Sequence, residues 1–329
     1  MSPSTNPKRL IIASPRGFCA GVDRAITIVE KVLERLGAPI YVRHEVVHNR
    51  FVVEGLRQRG AIFVDDLNAI PDAATVIFSA HGVSSAVEKI AQERRLQIFD
   101  ATCPLVTKVH LEVIRHARSG DNVILIGHAG HPEVEGTMGR FEPEFGGHIY
   151  LVERVADVAA LHLSNDRPLA FVTQTTLSVD DSRAIIAALR QRFPDIAAQR
   201  KDDICYATQS RQDAIKKLAS AAQTIFIVGS ANSSNSNRLR EVAERSGCRA
   251  YLIDSYHDIS PAMWQGSYTI GLSAGASAPE TLVSEVVSHF TGHGYQLNAD
   301  HNATREEVFF ALPKSLTELS SPPQPPKVA

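Results

Sequence analysis

The sequence predicts an α/β fold of three similar α/β lobes with small, mostly parallel sheets in a pseudo-threefold arrangement. Three observations predict it. Strand-like and helix-like runs alternate along the chain, the pattern of parallel sheets with helices on their faces. The same order of elements occurs three times, and repeated order at a fixed period marks stacked or circularly arranged copies of one unit. Each round opens on a cysteine in the same phase, Cys19, Cys103 or Cys205.

The elements follow in order. After Cys19 comes AGVDRAITIVEKVLERLG, in which Val22, Ile26, Val29, Leu33 and Leu36 fall at helical spacing and Gly37 is placed to end the helix. The strand-like PIYVRHEVV and the polar pair His48–Asn49 follow. LQIFDA reads as a strand before Cys103, and Pro104 opens a second helix, LVTKVHLEVIRHARSG, before the strand NVILIG and the motif HAGHPE. After Cys205, QSRQDAIKKLASA reads as a helix and TIFIVGS as a strand, ahead of ANSSNSN. The gaps agree: 29 residues from Cys19 to His48, 28 from Cys103 to His131, and 28 from Cys205 to Ser233. A second round matches as well. AIFVDDLNAIP, HIYLVERVADV and RAYLIDSYHDI each supply a strand, and TVIFSAHGV, LAFVTQTTLS and YTIGLSAGAS each end one in small polar residues. The gaps from each cysteine to His81, Thr175 and Ser277 are 62, 72 and 72. Every one of these motifs falls just after a predicted strand, where parallel sheets bind ligands.

Composition narrows the function classes. With 329 residues, 44% of them hydrophobic and 21% charged, the chain reads as a globular protein with room for two or three domains. A net charge of −2 without a basic block gives no electrostatic hold on nucleic acid or a membrane. No apolar run is long enough to span a bilayer, and the start, MSPSTNPKRLIIASPRG, lacks a signal peptide's apolar core, so a cytoplasmic location is expected. Four cysteines in a reducing compartment are not a disulfide framework.

Three thiolates brought together from three lobes point to a metal centre. A closed zinc site needs a fourth ligand, and the chain has no fourth copy to supply one. Three sulfurs with one open position suit a catalytic metal, or an iron–sulfur cluster with one iron lacking a protein ligand. The surrounding motifs are rich in neutral donors: His48, His81, His131, Thr175, Ser233, Ser234, Asn235 and Ser277. With no Lys or Arg among them, such donors together with loop N–H groups and helix N-termini can still hold phosphate. Glu133, in GHPEVEG, is placed as a proton carrier. Simpler readings exist for each residue taken singly. The cysteines could be buried thiols, His48 and His81 satisfied loop histidines, SSNSN an N-cap and GASAP a turn. Cys248, which has no counterpart in the other rounds, reads as structural. Asp23, Asp202 and Asp203 read as capping or ion-pair residues, and Phe18 and Tyr206 as packing beside the cysteines.

The ordered set RGFCAGV, EVVHN, SAHGV, DATCPLVTKVH, GHPEVEGTMG, TQTTLS, KDDICYAT, GSANSSNSNRL and AGASAP resembles the 4-hydroxy-3-methylbut-2-enyl diphosphate reductases, the IspH (LytB) family, from about Lys8 to Pro313. The resemblance implies three α/β lobes around a central 4Fe–4S cluster ligated by Cys19, Cys103 and Cys205, which can appear as 3Fe–4S after oxidation. It implies the last step of the non-mevalonate isoprenoid pathway: reductive removal of an allylic hydroxyl, giving isopentenyl and dimethylallyl diphosphate. The open iron would take the substrate's hydroxyl oxygen. Glu133 would deliver the proton with Thr175 and His131, and His48, His81, His131, Ser233, Ser234, Asn235 and Ser277 would hold the diphosphate. Electrons would come from ferredoxin or flavodoxin, since no GxGxxG fingerprint appears.

The expected domains are residues 1–101, 102–201 and 202–290, with residues 291–315 returning to the first lobe and a disordered, Pro-rich tail at 316–329. Three other readings remain open: a hydro-lyase with an open-iron cluster, an iron–sulfur electron carrier or sensor, and a structural zinc protein. Dependence on a reductant and the metal content separate them.

Overall fold

A computed structural model describes residues 7–163, 167–197, 203–298 and 306–319. The chain begins with β1 (Arg9–Ile12), α1 (Ala20–Leu36), β2 (Ile40–Arg43), α2 (Arg50–Gln58), β3 (Ala61–Val64), β4 (Thr75–Phe78), α3 (Ser85–Glu93) and β5 (Gln97–Asp100). It continues with α4 (Pro104–Arg118), β6 (Asn122–Ile126), α5 (Pro132–Met138), β7 (Ile149–Val152), α6 (Val155–Ala160), β8 (Leu169–Thr173) and α7 (Val179–Arg192). The last third holds α8 (Tyr206–Ala219), β9 (Thr224–Val228), α9 (Ser234–Arg245), β10 (Arg249–Ile253), α10 (Pro261–Trp264), β11 (Thr269–Ala274), α11 (Glu280–Gly292), β12 (Gln296–Leu297) and α12 (Lys314–Thr317).

These strands form three sheets with one repeated centre: β3-β2-β4 in the first, β7-β6-β8 in the second and β10-β9-β11 in the third. All the strand pairs in them are parallel. In each sheet the middle strand is the one that follows the cysteine's helix. β6 (NVILI) and β9 (TIFIV) are buried at every position, as parallel strands covered on both faces must be. Each sheet accordingly has a separate apolar core on either face.

The strand that precedes each cysteine joins the sheet of the previous round. β5, before Cys103, pairs with β4 of the first sheet. Ala197, before Cys205, bridges to Ala170 of β8 in the second. β1, before Cys19, pairs with β11 of the third, closing the ring. The backbone repeats this handover at the cysteines themselves. Cys103 N donates to Ala80 O at 3.0 Å, Cys205 N to Thr175 O at 3.1 Å, and Cys19 N to Ala276 O at 3.2 Å. Each thiol therefore sits where the chain crosses from one lobe's sheet to the next lobe's helix.

Three sequence expectations are corrected. Residues 9–12, assigned to the first lobe, belong by their hydrogen bonds to the third sheet, because RLII finds its open parallel edge at β11 rather than at β2. Leu36 is 41% exposed, and the buried face of α1 is instead Ala25, Ile28, Val29, Val32 and Leu33. The tail does not begin at residue 316, because Leu316 is fully buried in a core built on α1 and β2, with Leu312 and Leu319 beside it. Residues 320–329 of the expected tail and Asp202 lie outside the described residues. Cys248 packs in the core beneath β9, its Sγ against the carbonyls of Ala219 and Ala222.

Candidate active site

Cys19, Cys103 and Cys205 are the N-cap residues of α1, α4 and α8. A helix N-terminus offers free N–H groups and a positive dipole end to an anionic sulfur. Cys205 shows this directly: its Sγ accepts the N–H of Thr208 at 3.3 Å and lies 3.1 Å from its Oγ1. All three cysteines line one central cavity. Gly21 explains how two of them fit. A Cβ there would stand 2.6 Å from Cys103 Sγ and 3.9 Å from Cys19 Sγ, so the two sulfurs are no further apart than those distances joined. Burial, reinforced by the neighbouring cysteines, pushes the Cys103 thiol up to about 12 and the Cys205 thiol up to about 11. Both are protonated at neutral pH in the metal-free protein, and metal binding there would release protons. Among the described residues no three His, Cys, Asp or Glu side chains close on a point that would hold a single metal ion.

The same cavity is lined by every other candidate the sequence singled out: His48, His81, His131, Glu133, Thr175, Ser233, Ser234, Asn235 and Ser277. The imidazoles of His48 and His81 stack with centroids 4.2 Å apart, and His131 meets both edge-on at 5.4 and 5.6 Å. Burial depresses His81 well below the usual imidazole range, with the charges of His48 and His131 adding to it, and takes His131 down to about 3. His81 and His131 are therefore neutral donors and acceptors. His131 caps α5, its Nδ1 accepting from Glu133 N at 3.1 Å, which leaves Nε2 to carry the proton.

Glu133 is 2% exposed. Its Oε1 accepts from Thr175 N at 2.7 Å and its Oε2 from Thr175 Oγ1 at 3.0 Å. Burial lifts its carboxyl to about 7, against the opposing pull of those two hydrogen bonds. A carboxyl with that affinity for its proton can hold and release it near neutrality.

Among the described residues two buried polar atoms on the cavity wall have no protein partner: Asn235 Nδ2, a donor, and His48 Nε2, whose ring donates through Nδ1 to Glu45 Oε2 at 3.3 Å. Asn235 Oδ1 accepts from Ala276 N at 2.8 Å, which fixes the amide with its NH₂ free. Buried donors without acceptors are expensive unless a ligand supplies one. Ser277 Oγ donates to His48 O at 2.8 Å, and Ser233 Oγ accepts from Ser236 N at 3.3 Å.

Three lining residues that bear on the site's contacts were not singled out from the sequence. Thr176 is the position equivalent to His81 and Ser277, since Thr175, Ala80 and Ala276 share the carbonyl role toward a cysteine N–H. Its Oγ1 donates to Ser234 Oγ at 3.0 Å, across two lobes. Reading TQTT one residue later would have found it. Thr208 and Gly21 are the others, each two or three residues past a cysteine. Two simpler readings hold in part. Ser233 does cap α9, and Asp203 is a buried ion-pair residue, 3.2 Å from Lys108 Nζ.

Fold and cavity define a class: a ring of three parallel α/β lobes converging one thiol from each crossover on a shared, donor-rich cavity. The chain belongs to the LytB protein family, whose profile matches residues 10–291. It is 60% identical over 309 residues to the 4-hydroxy-3-methylbut-2-enyl diphosphate reductase of Xylella fastidiosa strain M12, covering 94% of this chain and 98% of that one. It is 58% identical over 312 residues to the reductase of the same name from Methylococcus capsulatus, covering 95% and 99%. Among solved structures it resembles the E-1-hydroxy-2-methyl-but-2-enyl-4-diphosphate reductase of Plasmodium falciparum, with a TM-score of 0.87 and 38% identity over 94% of this chain and 97% of that one.

Proposed function

We propose that this chain reduces (E)-4-hydroxy-3-methylbut-2-enyl diphosphate to isopentenyl and dimethylallyl diphosphate, using a 4Fe–4S cluster held by Cys19, Cys103 and Cys205. The observation that carries the reading is the meeting of three separate crossovers' thiols with neutral phosphate-type donors and a buried carboxyl on one cavity. The relatives' shared name supplies the substrate. The donor set fits the cluster. Soft sulfur suits iron–sulfur chemistry, each sulfur sits at a helix N-terminus, and Gly21 leaves the space a methyl group would fill beside two of them. When bound, the cluster supplies electrons and an iron corner without a protein ligand that acts as a Lewis acid.

The chain's own residues do the rest. The reaction replaces an allylic C–OH with C–H, takes up two electrons and two protons, and releases water. Asn235 Nδ2, the cavity wall's unpartnered donor, takes a diphosphate oxygen, with His48, His81, His131, Ser233, Ser234 and Ser277 completing the grip. Anchoring the diphosphate fixes the allylic alcohol in the cavity, so binding energy remote from the C–O bond orients it. Glu133, protonated near neutrality, delivers a proton to the departing oxygen and makes water the leaving group. Thr175 holds the carboxyl through both oxygens, and His131 braces the Glu133 backbone. Electrons arrive from a ferredoxin or flavodoxin in the cytoplasm; among the described residues no helix is long and apolar enough to cross a membrane.

Anaerobic incubation of the reconstituted chain with the allylic alcohol diphosphate and a chemical reductant tests this. Isopentenyl and dimethylallyl diphosphate form only when the reductant is present. Loss of water without reductant, giving a more unsaturated diphosphate instead of these two products, would make the chain a hydro-lyase, and absence of product with a loaded cluster would refute the reading.

A further inference from the structure

Arg211 is the largest fully buried side chain of the described chain, and the reaction makes no use of it. It lies on α8, six residues past Cys205, and all five of its N–H groups are spoken for. Nε and Nη2 donate to Gly17 O at 3.1 and 2.8 Å, and Nη2 also reaches Phe18 O at 3.3 Å, on the two residues before Cys19. Nη1 donates to Ala207 O at 3.0 Å, two residues past Cys205. A bidentate pair with Glu306 completes the set, Nη1 to Oε1 at 2.6 Å and Nη2 to Oε2 at 3.1 Å, one Nη2 hydrogen being shared between two acceptors. Glu306 opens the C-terminal segment 306–319. Arg24, five residues past Cys19, repeats the arrangement at the third thiol: Nη1 donates to Thr102 O at 3.0 Å, on the residue before Cys103, and Nε to Ala311 O at 2.8 Å in the same segment. Two arginines thus tie the backbone beside all three cysteines to one strap. Cys19 lines both the central cavity and an outer groove walled by Phe18, Glu306, Val308 and Phe309, so the strap borders the outer approach to this residue.

We propose that Arg211 and Arg24 are positioning residues of the cysteine seat, and that residues 306–312 are the latch through which they hold it closed. The proposal rests on the cluster reading above. A guanidinium buried this fully is held less firmly without its carboxylate, because an unpaired buried charge is among the most costly groups a protein can hold. Docking of Glu306 and ordering of Gly17 and Phe18 therefore occur together, and lifting the strap loosens Cys19 and Cys205 in the same event. The latch sets how readily the cluster enters and leaves, while turnover of the seated cluster proceeds through other residues.

The test uses the metal-free full chain. Alkylation by iodoacetamide is timed at each cysteine by peptide mass spectrometry in the wild type, Glu306→Gln and Arg24→Gln. Glu306→Gln speeds Cys19 and Cys205 on the order of tenfold, the change in local opening that loss of one charge-assisted pair allows, and leaves Cys248 unchanged. Arg24→Gln, which keeps the Arg211–Glu306 pair, speeds Cys103 most. After reconstitution, both variants start with wild-type iron and sulfide but release iron to a chelator faster. Unchanged rates at Cys19 and Cys205 in Glu306→Gln overturn the proposal, and so does a rise shared equally by Cys248, which would mean general loosening. A wild-type chain that takes up no iron or sulfide would instead sink the cluster reading, while the alkylation pattern would still report on the latch.

Discussion

Replacing Glu133 by Gln tests the proton-donor role with little structural disturbance. The amide carbonyl can keep the 2.7 Å bond from Thr175 N, and the Thr175 hydroxyl can turn from donor to acceptor at the other position. What is lost is a transferable proton. Positioned general acids contribute about 10²–10⁴-fold, roughly 3–5 kcal/mol of barrier, so kcat falls by that factor while KM stays within about threefold. The pH profile supplies a second readout. With its carboxyl near 7, wild-type Glu133 loses its proton as pH rises, and turnover falls about tenfold per unit on the basic side. The variant lacks that limb. Stability moves in the same sense with pH. The native carboxyl keeps a proton that the unfolded chain has released between the ordinary carboxyl range and about 7. Stability of the metal-free wild type therefore falls as pH rises across that window, by about 3 kcal/mol at most. Glu133→Gln removes that dependence and is the more stable protein above pH 7. The assay is anaerobic steady-state turnover on cluster-matched samples, with urea melts of the metal-free forms. A kcat within threefold of wild type at full cluster loading would refute the reasoning.

Two further outcomes follow from the cavity. Because His81 and His131 are neutral in the free protein, a bound polyanion raises their proton affinity, so binding takes up protons and tightens as pH falls. Calorimetric titration of pyrophosphate in buffers of differing ionisation heat should show net uptake, and net release would contradict the neutral-donor reading. His81→Asn should weaken that binding roughly tenfold to a hundredfold. Gly21→Ala, whose added methyl would meet Cys103 Sγ at 2.6 Å, should fold but carry less iron and sulfide than wild type; full loading would show that the crowding is relieved by another route.

The site was more legible in the sequence than the connections that hold it. Each thiol, imidazole and hydroxyl sits in a short motif directly after a strand or at a helix start, and such motifs are local, so order and spacing were enough to gather twelve residues that share one cavity. Partner choice among strands is not local. RLII carries no mark that it will pair with β11, about 260 residues away, to close the ring. The register at TQTT was a matter of one residue: Thr175 holds Glu133 and the Cys205 N–H, while Thr176 takes the position equivalent to His81. The helix Pro132–Met138 is too short for periodicity to mark it, and its His131 cap uses a ring nitrogen instead of the usual hydroxyl or carboxylate. The strap's hold on Arg211 was invisible, since a Glu and an Arg some 95 positions apart announce nothing until the fold buries one against the other.

The central claim is that three thiols, one from each crossover, hold a single iron–sulfur group. Iron and acid-labile sulfide per chain, measured on anaerobically reconstituted Cys19→Ser, Cys103→Ser, Cys205→Ser and Cys248→Ser, test it most directly. Each of the first three should lose most of its iron and sulfide while Cys248→Ser matches the wild type. Full loading in any one of the first three would contradict the account.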